Sequence, residues 1–495
     1  MNKKIKDFLF QNKVVILFVI LCVSATIASK QPLTFVIPEL FTRIARNSFI
    51  VLSLIIPVIA GMGLNFGIVI GAMSAQIALF LTTYWGLTGI GGFMATVALA
   101  TPFSVLFGYL VGRLFNRAKG SEMICGLVLG YLAEGFYQFI FLFVFGGIIA
   151  MNNPTLMIAT GVGVKNTIDL KDTVKYALDT VPMLTILEIG FYVFLIATVC
   201  SVAVRMVKKQ AVDWKKTGLM VGAAVVIYGL SFVGPIEQFL AADRLMLLSA
   251  VEILCFGTVI WQVIRFVLFK AVKKNHEEAG PGSYDPKRSL AFIAVAAVVY
   301  GLTYIPTLYN VLIMVKLPVM TYLCIAALCG FNNVLLKTRL GQNMRTVGQS
   351  RVVANAAGIN VDRTRIIAMI FSTVLASWGQ LIFLQNVGTM STYGAHTQVG
   401  QFAIAALLVG GASVQKATNR QALLGIILFH TLFIVSPLAG KELFGDPVIG
   451  EYFRVFVSYG VIAMALAMHA WKKHVKPKEE DTANIDEVES QVLRV

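Results

Sequence analysis

The chain has 495 residues, of which 57% are hydrophobic and 13% are charged, and its mean hydropathy is +0.79. Soluble domains carry about 25% charged residues, so this composition excludes a water-soluble surface. The net charge of +16 would suit nucleic acid, but basic residues also collect on the cytoplasmic side of membrane proteins. We therefore predict an all-α, polytopic transmembrane helix bundle with no nucleic-acid partner.

The N-terminus carries Lys3, Lys4 and Lys6 ahead of an apolar run that ends in small residues near Ala28. A signal peptide and a retained first span both have this pattern, and the sequence leaves open whether the segment is cleaved. A retained span is favoured because no soluble domain follows it. We expect residues 1–46 to form this span and an outer loop.

Apolar runs long enough to cross ~30 Å of hydrocarbon recur along the chain and predict about fourteen spans. Their approximate positions are 13–29, 47–61, 64–84, 88–112, 122–149, 183–204, 217–234, 246–264, 289–308, 317–336, 366–386, 400–412, 422–440 and 452–471. The longer segments between and after them are an outer loop at 151–182, inner segments at 271–288 and 337–365, and an acidic tail at 472–495. The composition of the acidic tail predicts that the tail is disordered.

The distribution of basic residues fixes the orientation of these spans. If the N-terminus is cytoplasmic, 31 of the 41 lysines and arginines lie in inner loops and tails. The other 10 lie outside or at the outer ends of helices. This excess follows the positive-inside rule, so we expect both termini of a multi-pass protein to be cytoplasmic.

The six cysteines all lie in apolar runs and none forms a Cys-x-x-Cys pair. This pattern predicts buried free thiols, with neither a disulfide framework nor a metal site. The residues are Cys22, Cys125, Cys200, Cys255, Cys324 and Cys329.

The inner loop 337–365 is rich in small residues and is predicted to contain a short amphipathic helix between two spans. Its small and apolar residues permit close packing, and its polar residues can face a protein partner. The former are Val347, Ala354 and Gly358, and the latter are Arg345, Gln349 and Arg351. An ordinary basic loop held by anionic lipid remains an equally good interpretation of the residues alone.

This loop resembles the cytoplasmic coupling segment of permease subunits of ATP-binding-cassette importers, in the branch for branched-chain amino acids, simple sugars and nucleosides. The positions in register with the family pattern are Thr338, Leu340, Gly341, Arg345, Val347, Gly348, Ala354, Gly358, Ile359 and Asn360. The resemblance implies that the segment docks into an ATPase subunit. It assigns coupling to Arg345, Gly348, Gln349, Ala354, Gly358 and Asn360.

Two N-terminal stretches, 63–69 and 120–132, resemble the nucleoside branch of that family. Glu122 and Tyr131 are kept, whereas Val69 replaces a glutamate and Gly130 replaces an asparagine. The implied substrate is a nucleoside or a simple sugar.

Glycines also match the family's close-packed helix hairpin. The residues assigned to helix packing are Gly67, Gly410, Gly411 and Gly425. The resemblance covers about 47–150 and 309–471, which we interpret as the two parts of a ten-span permease core. It skips 183–308, which we interpret as an inserted block of about four spans.

Polar side chains at membrane depth are expensive and therefore candidates for function. Glu134 can face the transport pathway or pair with Gln138 one turn later, and the sequence does not decide between these. The other candidates near predicted pathway spans are Asn65, Gln76 and Gln385. His396 is expected to be solvent-accessible in an outer loop.

The chain has no phosphate-binding Gly-x-x-x-x-Gly-Lys-Ser/Thr loop, so it is expected to bind no cofactor and to be no enzyme. The resemblance implies ATP-Mg on a separate cytoplasmic ATPase, a second permease subunit and an extracytoplasmic solute-binding protein, at a bacterial inner membrane. Replacing Gly348 by Trp together with Arg345 by Glu is expected to abolish transport without affecting folding. The alternative is an ion-coupled secondary transporter that uses Glu134 and Glu252, although the sequence shows no repeat around them.

Overall fold

The computed structural model describes residues 13–118, 120–151, 153–158, 162–207, 214–273, 286–456, 459–460 and 463. Most of the predicted last span, the acidic tail at 472–495 and part of the linker at 271–288 lie outside these residues. The described chain forms two compact units. Unit 1 comprises 1–31, 46–175 and 325–495, and unit 2 comprises 32–45 and 176–324.

The helices, in chain order, are α1 (Lys13–Ala28), α2 (Leu33–Ser53), α3 (Ile55–Ile59), α4 (Ile68–Tyr84), α5 (Gly89–Arg117), α6 (Glu122–Phe139), the π-helical α7 (Ile140–Ile148), α8 (Met183–Val207), α9 (Trp214–Leu230), α10 (Gly234–Leu240), α11 (Leu247–Lys273), α12 (Pro286–Leu302), α13 (Pro306–Met314), α14 (Val319–Leu335), α15 (Arg339–Gln349), α16 (Arg351–Ala356), α17 (Val361–Val387), α18 (Ala395–Val409) and α19 (Asn419–Phe444). The strands are β1 (Thr167–Asp169), β2 (Arg244–Met246), β3 (Lys316–Pro318) and β4 (Thr389–Ser391).

Seven helices of the described chain are long and apolar enough to cross a membrane, or up to 10 if each of three bent helix pairs is one span. Helices satisfy their backbone hydrogen bonds internally, which hydrocarbon requires. The predicted all-α membrane bundle is therefore confirmed, while the count of about fourteen spans stays a prediction.

The centre of unit 1 is α17, which packs along α4 and α5. Small residues on α4 and α5 allow this close approach: a Cβ on Gly71 would lie 2.7 Å from the Thr373 carbonyl oxygen. Thr373 itself donates to the Ser104 carbonyl at 3.1 Å. Backbone contact of this kind is typical of helix packing in membranes, where lipid supplies little hydrophobic drive.

A second close crossing joins α18 to α19. A Cβ on Gly410 would lie 2.7 Å from the Gly425 amide nitrogen, so no larger residue fits there without a shift. Gly411 follows with φ +84°, a left-handed conformation that favours glycine. Gly67 lies at the start of α4, where a Cβ would be 3.1 Å from the Asn65 side-chain oxygen.

The short sheet of unit 1 folds part of the predicted outer loop onto the connection between α17 and α18. Strand β1 pairs antiparallel with β4, so that Ile168 lies opposite Met390. Beyond the strand, Thr392 Oγ1 donates to the Lys165 carbonyl at 2.6 Å. These contacts fix the direction in which α18 enters the bundle.

Unit 2 contains two helix pairs that bend sharply, α9 with α10 by 88° and α12 with α13 by 90°. Each is followed by a strand, and β2 pairs antiparallel with β3.

Candidate functional site

A cavity of about 460 Å³ opens in unit 1 between α4, α6, α18 and the turn after β4. The lining side chains that bear on its chemistry are Val69, Tyr131, Glu134, Tyr393, Gln401 and Tyr459. The lining residues, all in the described chain, include no lysine or arginine. Burial raises the pKa of the Tyr393 phenol, which lies in the turn outside the spans and donates to the Val164 carbonyl at 2.9 Å.

Glu134 of α6 lies at the wall of this cavity and faces α18. Its Oε2 contacts His396 Nε2 and accepts a hydrogen bond from Thr397 Oγ1 at 3.0 Å. Its Oε1 accepts from Gln138 Nε2 at 2.8 Å. The two alternatives left open by the sequence therefore occur together: Glu134 lines the cavity and pairs with Gln138.

His396 is fully buried, so the expected solvent exposure is wrong. The pairing of β4 with β1 draws the loop inward, and α18 begins at Ala395, which places His396 in its first turn. The imidazole then lies between α4 and α6.

The other imidazole nitrogen, Nδ1, lies 2.5 Å from Gln76 Oε1. Gln76 Nε2 donates to the Ser391 carbonyl at 3.3 Å, and Tyr137 OH donates to the same Gln76 oxygen. An amide oxygen only accepts, so with the amide oriented this way Nδ1 carries a proton.

The contact between Nε2 and Glu134 then needs a further proton, because two lone pairs repel at this separation. The pair is either an imidazolium with a carboxylate or a neutral imidazole with a carboxylic acid. In both forms its net charge is zero, which makes burial of two ionisable groups tolerable.

Of the four predicted pathway residues, Glu134 lines this cavity and Gln76 lies behind it, in contact with His396. Asn65 is fully buried and donates to Ser372 Oγ at 3.2 Å, and Gln385 is fully buried on α17. The structure does not bring these two to the cavity. The pathway role of all four stays a prediction.

The two positions at which the sequence departs from the nucleoside-branch pattern both lie in the wall of the cavity. Val69 and Gly130 both line the cavity, next to the retained Tyr131. A Cβ on Gly130 would meet its nearest heavy atom, the Phe66 carbonyl oxygen, at 3.8 Å. This position therefore has room for a side chain.

The predicted coupling segment forms α15 and α16. Arg345 and Gln349 are exposed on α15, whereas Ala354 is fully buried in a small cluster with Val347 and Val361. Val352 and Val353 are 79% and 59% exposed, and sequence reasoning did not single them out. The segment thus exposes cationic, polar and apolar side chains on two consecutive helices, and we call these four residues the coupling surface (Arg345, Gln349, Val352 and Val353).

Gly348 packs inward and not outward. A Cβ there would clash with the Ile59 carbonyl oxygen, and a Cβ on Gly61 would lie 2.7 Å from Gly348 Cα. The expectation that Gly348 can be replaced by Trp without affecting folding is therefore wrong, because this glycine sets the distance between α15 and α3.

Gly358 and Asn360 form the turn that connects α16 to α17. Gly358 has φ +75° and ends α16 in the left-handed conformation common at helix C-termini. Asn360 caps α17, since its Oδ1 accepts from the Arg363 amide at 2.9 Å. Their geometry shapes the segment, and their assigned coupling role stays a prediction.

A buried carboxylate joins the first residue of α6 to this segment. Glu122 Oε1 accepts from Arg365 Nη2 at 2.6 Å and also pairs with Arg351. Glu122 Oε2 accepts from the Gly120 amide at 3.0 Å. This cluster, which we call the Glu122 triad (Glu122, Arg351 and Arg365), connects α6, α16 and α17.

All six cysteines are free thiols. In the part of the chain that the structure describes, no group of three or more His, Cys, Asp and Glu side chains is placed to hold a metal ion.

Comparison with known proteins gives one family. The family described as "Branched-chain amino acid transport system / permease component" matches residues 198–466. The match includes the coupling segment and also most of the block predicted to be inserted.

A curated relative, the "nucleoside ABC transporter permease protein NupC" of Lactococcus lactis subsp. cremoris, is 29% identical over 147 residues. The alignment covers 30% of this chain and 44% of that protein, so the chain spans less than half of the relative's length. No solved structure matches the chain.

Proposed function

The chain belongs to the branched-chain amino acid transport permease family, and on that premise we propose that it is the membrane-spanning subunit of an ATP-driven importer. Its cargo is a small neutral nutrient, either a nucleoside or a simple sugar. A cytoplasmic P-loop ATPase with ATP-Mg supplies the energy. A second permease subunit and an extracytoplasmic solute-binding protein complete the complex at a bacterial inner membrane, with both termini of this chain cytoplasmic.

The observation that carries this proposal is the coupling surface. Gly348 and the buried Ala354 hold α15 and α16 against α3 and α17, so the segment has a defined shape. Arg345 and the exposed valines of the following helix provide a cation and apolar area. A folded protein partner can bind both the cation and the apolar area.

The cavity supports a neutral cargo. The charge of Glu134 is compensated by His396, and no lysine or arginine lines the cavity to bind a phosphate or carboxylate. The rings of Tyr131, Tyr393 and Tyr459 offer flat apolar faces with hydroxyl groups at their edges. A volume of about 460 Å³ is within the range of small-molecule sites.

The relative's name supports a nucleoside, while the two cavity substitutions keep a sugar as a candidate. Val69 and Gly130 stand where the nucleoside-branch pattern has a glutamate and an asparagine, so two hydrogen-bonding side chains are missing from the wall. A wall with fewer hydrogen-bonding side chains recognises fewer polar groups of the ligand. Transport would follow alternating access around this membrane site.

The test is affinity purification of the tagged protein in mild detergent with mass spectrometry of the proteins recovered. We expect a P-loop ATPase, lost in the double variant Arg345→Glu with Val352→Asp. The matched control is Lys416→Glu, the same charge reversal at an exposed position of another predicted inner loop, which should retain the ATPase. A stable wild-type chain that recovers no ATPase would overturn the importer proposal.

The buried Glu134–His396 pair is the one observation that favours the alternative, an ion-coupled secondary transporter. Ionisable pairs at membrane depth are found in proton relays. Uptake that survives loss of the ATPase but stops with a protonophore would establish this function. Uptake that needs the ATPase and resists the protonophore would exclude it.

A further inference from the structure

The Glu122 triad joins the start of α16, next to the exposed Val352, to the start of α6, whose later residues line the cavity. Resting on the proposed importer function, we propose that Arg351 is a positioning residue that transmits movement of the coupling segment to the cavity wall through Glu122 and α6. Arg351 is the first residue of α16, and Glu122 is the first residue of α6. Their side chains are in direct contact although 229 positions separate them.

The helix α6 connects the triad to the cavity without a break. Glu122 and Glu134 both lie in its continuous span Glu122–Phe139. At 1.5 Å per residue they are about 18 Å apart along the axis. Because a hydrogen-bonded helix moves as a rigid element, a displacement at Glu122 also displaces Glu134 and its partner His396.

The two arginines of the triad have different roles. Arg365 is fully buried, and in the described structure its Nε and Nη1 have no hydrogen-bond partner, so its charge depends on Glu122. Arg351 keeps 32% of its side chain exposed and can detach into water. The Glu122–Arg365 contact is thus a fixed anchor, and Arg351 is the movable link.

The experiment compares Arg351→Gln with Arg363→Gln in the reconstituted complex with its ATPase. Arg363 is an exposed arginine on α17, close in sequence to Arg365, and matches the charge lost. We expect Arg351→Gln to retain the ATPase and its basal hydrolysis, but to lose about tenfold in solute moved per ATP hydrolysed, within the range of known coupling energies. Arg351→Lys should recover part of this ratio, since it restores the charge without the forked geometry.

If Arg351→Gln and Arg363→Gln move the same amount of solute per ATP hydrolysed in an intact complex, the role of Arg351 is overturned and the proposed function still stands. A wild-type chain without an ATPase would overturn the proposed function as well. If Arg351→Gln assembles poorly, Arg351→Lys is measured in its place, and a ratio equal to that of the wild type there contradicts the role of the guanidinium contact with Glu122.

A separate observation concerns unit 2, whose elements recur at one interval. Helix α9 ends at Leu230 and α12 at Leu302, and the strands β2 and β3 begin at Arg244 and Lys316. Each pair is 72 positions apart, as are the starts of α10 and α13. The preceding helices α8 and α11 begin at Met183 and Leu247, which are 64 positions apart, so the second copy is eight residues longer between this start and the bend.

The local details repeat as well. The sequence Tyr-Gly-Leu ends α9 at 228–230 and α12 at 300–302. The next residue, Ser231 or Thr303, donates its hydroxyl to the carbonyl of that tyrosine at 2.6 Å in both copies. The bends that follow are 88° and 90°.

Aromatic and acidic side chains occupy matching places. Tyr228 packs edge-on against Phe232 at 5.1 Å, and Tyr300 packs edge-on against Tyr304 at 5.4 Å. Glu188 is the sixth residue of α8, and Glu252 is the sixth residue of α11. The expectation that no repeat surrounds Glu252 is therefore wrong.

The strand pairing relates the two copies by symmetry. Leu245 lies opposite Leu317 at the centre of the β2–β3 pair, and these leucines are equivalent in the repeat. We infer that residues 183–318 are a tandem duplication of a two-span module, with a pseudo-two-fold axis between Leu245 and Leu317. The basic segments before α9 and α12 are both predicted to be cytoplasmic, which makes the axis parallel to the membrane normal.

Cysteine labelling tests the common orientation, in a background without the native cysteines. Val233 and Ile305 are 46% and 47% exposed at equivalent places in the two bends, and Trp214 and Pro286 are exposed residues toward the opposite ends of α9 and α12. We expect Val233→Cys and Ile305→Cys to react with an impermeant maleimide in intact cells. Trp214→Cys and Pro286→Cys should react only after permeabilisation. Opposite sidedness within either pair would overturn the duplication.

A module exchange tests equivalence directly. Segment 231–246 is replaced by 303–318, which has the same length, and the control carries segment 231–246 in scrambled order. We expect the exchanged chain to insert and to elute as a single species in detergent, and the scrambled chain to aggregate. An exchanged chain that behaves like the scrambled control would contradict the inference.

Discussion

The imidazole of His396 and the carboxylate of Glu134 form a buried pair that connects α18 to α6 at the wall of the cavity. Gln76 fixes the ring from the other side, with its Oε1 2.5 Å from Nδ1. Three helices therefore meet at His396, and the protonation of the His396–Glu134 pair determines the charge at the cavity wall. The consequences for transport can be measured.

Replacing Glu134 by Gln should preserve uptake, because the amide can donate to His396 Nε2 and reproduces the neutral form of the pair. Replacing His396 by Ala should reduce substrate affinity by about tenfold or more, since it leaves a mostly buried carboxylate without its partner. Radiolabelled nucleoside or sugar binding to the purified complex measures both. Loss of uptake in Glu134→Gln would instead show that the ionised carboxylate is required.

Gly130→Asn restores the side chain of the nucleoside-branch pattern, and the cavity has room for it. One added hydrogen bond is worth about 0.5–1.5 kcal/mol, so nucleoside affinity should rise by a few fold relative to sugar affinity. Competition binding with both ligand classes measures the ratio. The control Gly135→Asn, at an exposed glycine of the same helix with open space around it, should leave the ratio unchanged. Equal ratios in both variants would place the substrate elsewhere.

Gly425→Ala should destabilise unit 1, because its Cβ would clash with the Ala406 carbonyl oxygen at the α18–α19 crossing. Overpacking of this kind costs about 1–3 kcal/mol and should lower the melting temperature in detergent. Gly135→Ala, with nothing within 4 Å of its Cβ, is the control and should be neutral or slightly stabilising. Equal melting temperatures would contradict the close crossing.

Gly348→Ala and Val353→Asp should separate packing from docking. The first adds a methyl group against the Ile59 carbonyl and should lower the melting temperature of the chain alone. The second changes a 59% exposed side chain and should leave the melting temperature intact while reducing recovery of the ATPase. A normal melting temperature in Gly348→Ala would show that the α15–α3 contact can relax.

Much of the coupling segment could be predicted from sequence, because its helix signals and small residues are local. The direction of its side chains could not. Ala354 and Gly348 have the same small-residue signature as surface glycines and alanines, and only the packing of α3 and α17 turns them inward. The exposed valines at 352 and 353 were missed for the converse reason, since apolar residues in a membrane protein are expected to be buried in lipid or protein.

The sequence by itself determined the membrane class and the permease family, because span length and short motifs are written in neighbouring residues. The tertiary structure alone decided which polar groups meet. Glu122 and Arg365 are 243 positions apart, and Gln76 and His396 are 320 apart. Such contacts follow from how helices pack side by side, and every apolar span carries nearly the same local pattern. The duplication in unit 2 is not visible in the sequence, because apolar spans resemble one another whether or not they are related. It becomes visible through the two bends, the two strands and the register of their pairing.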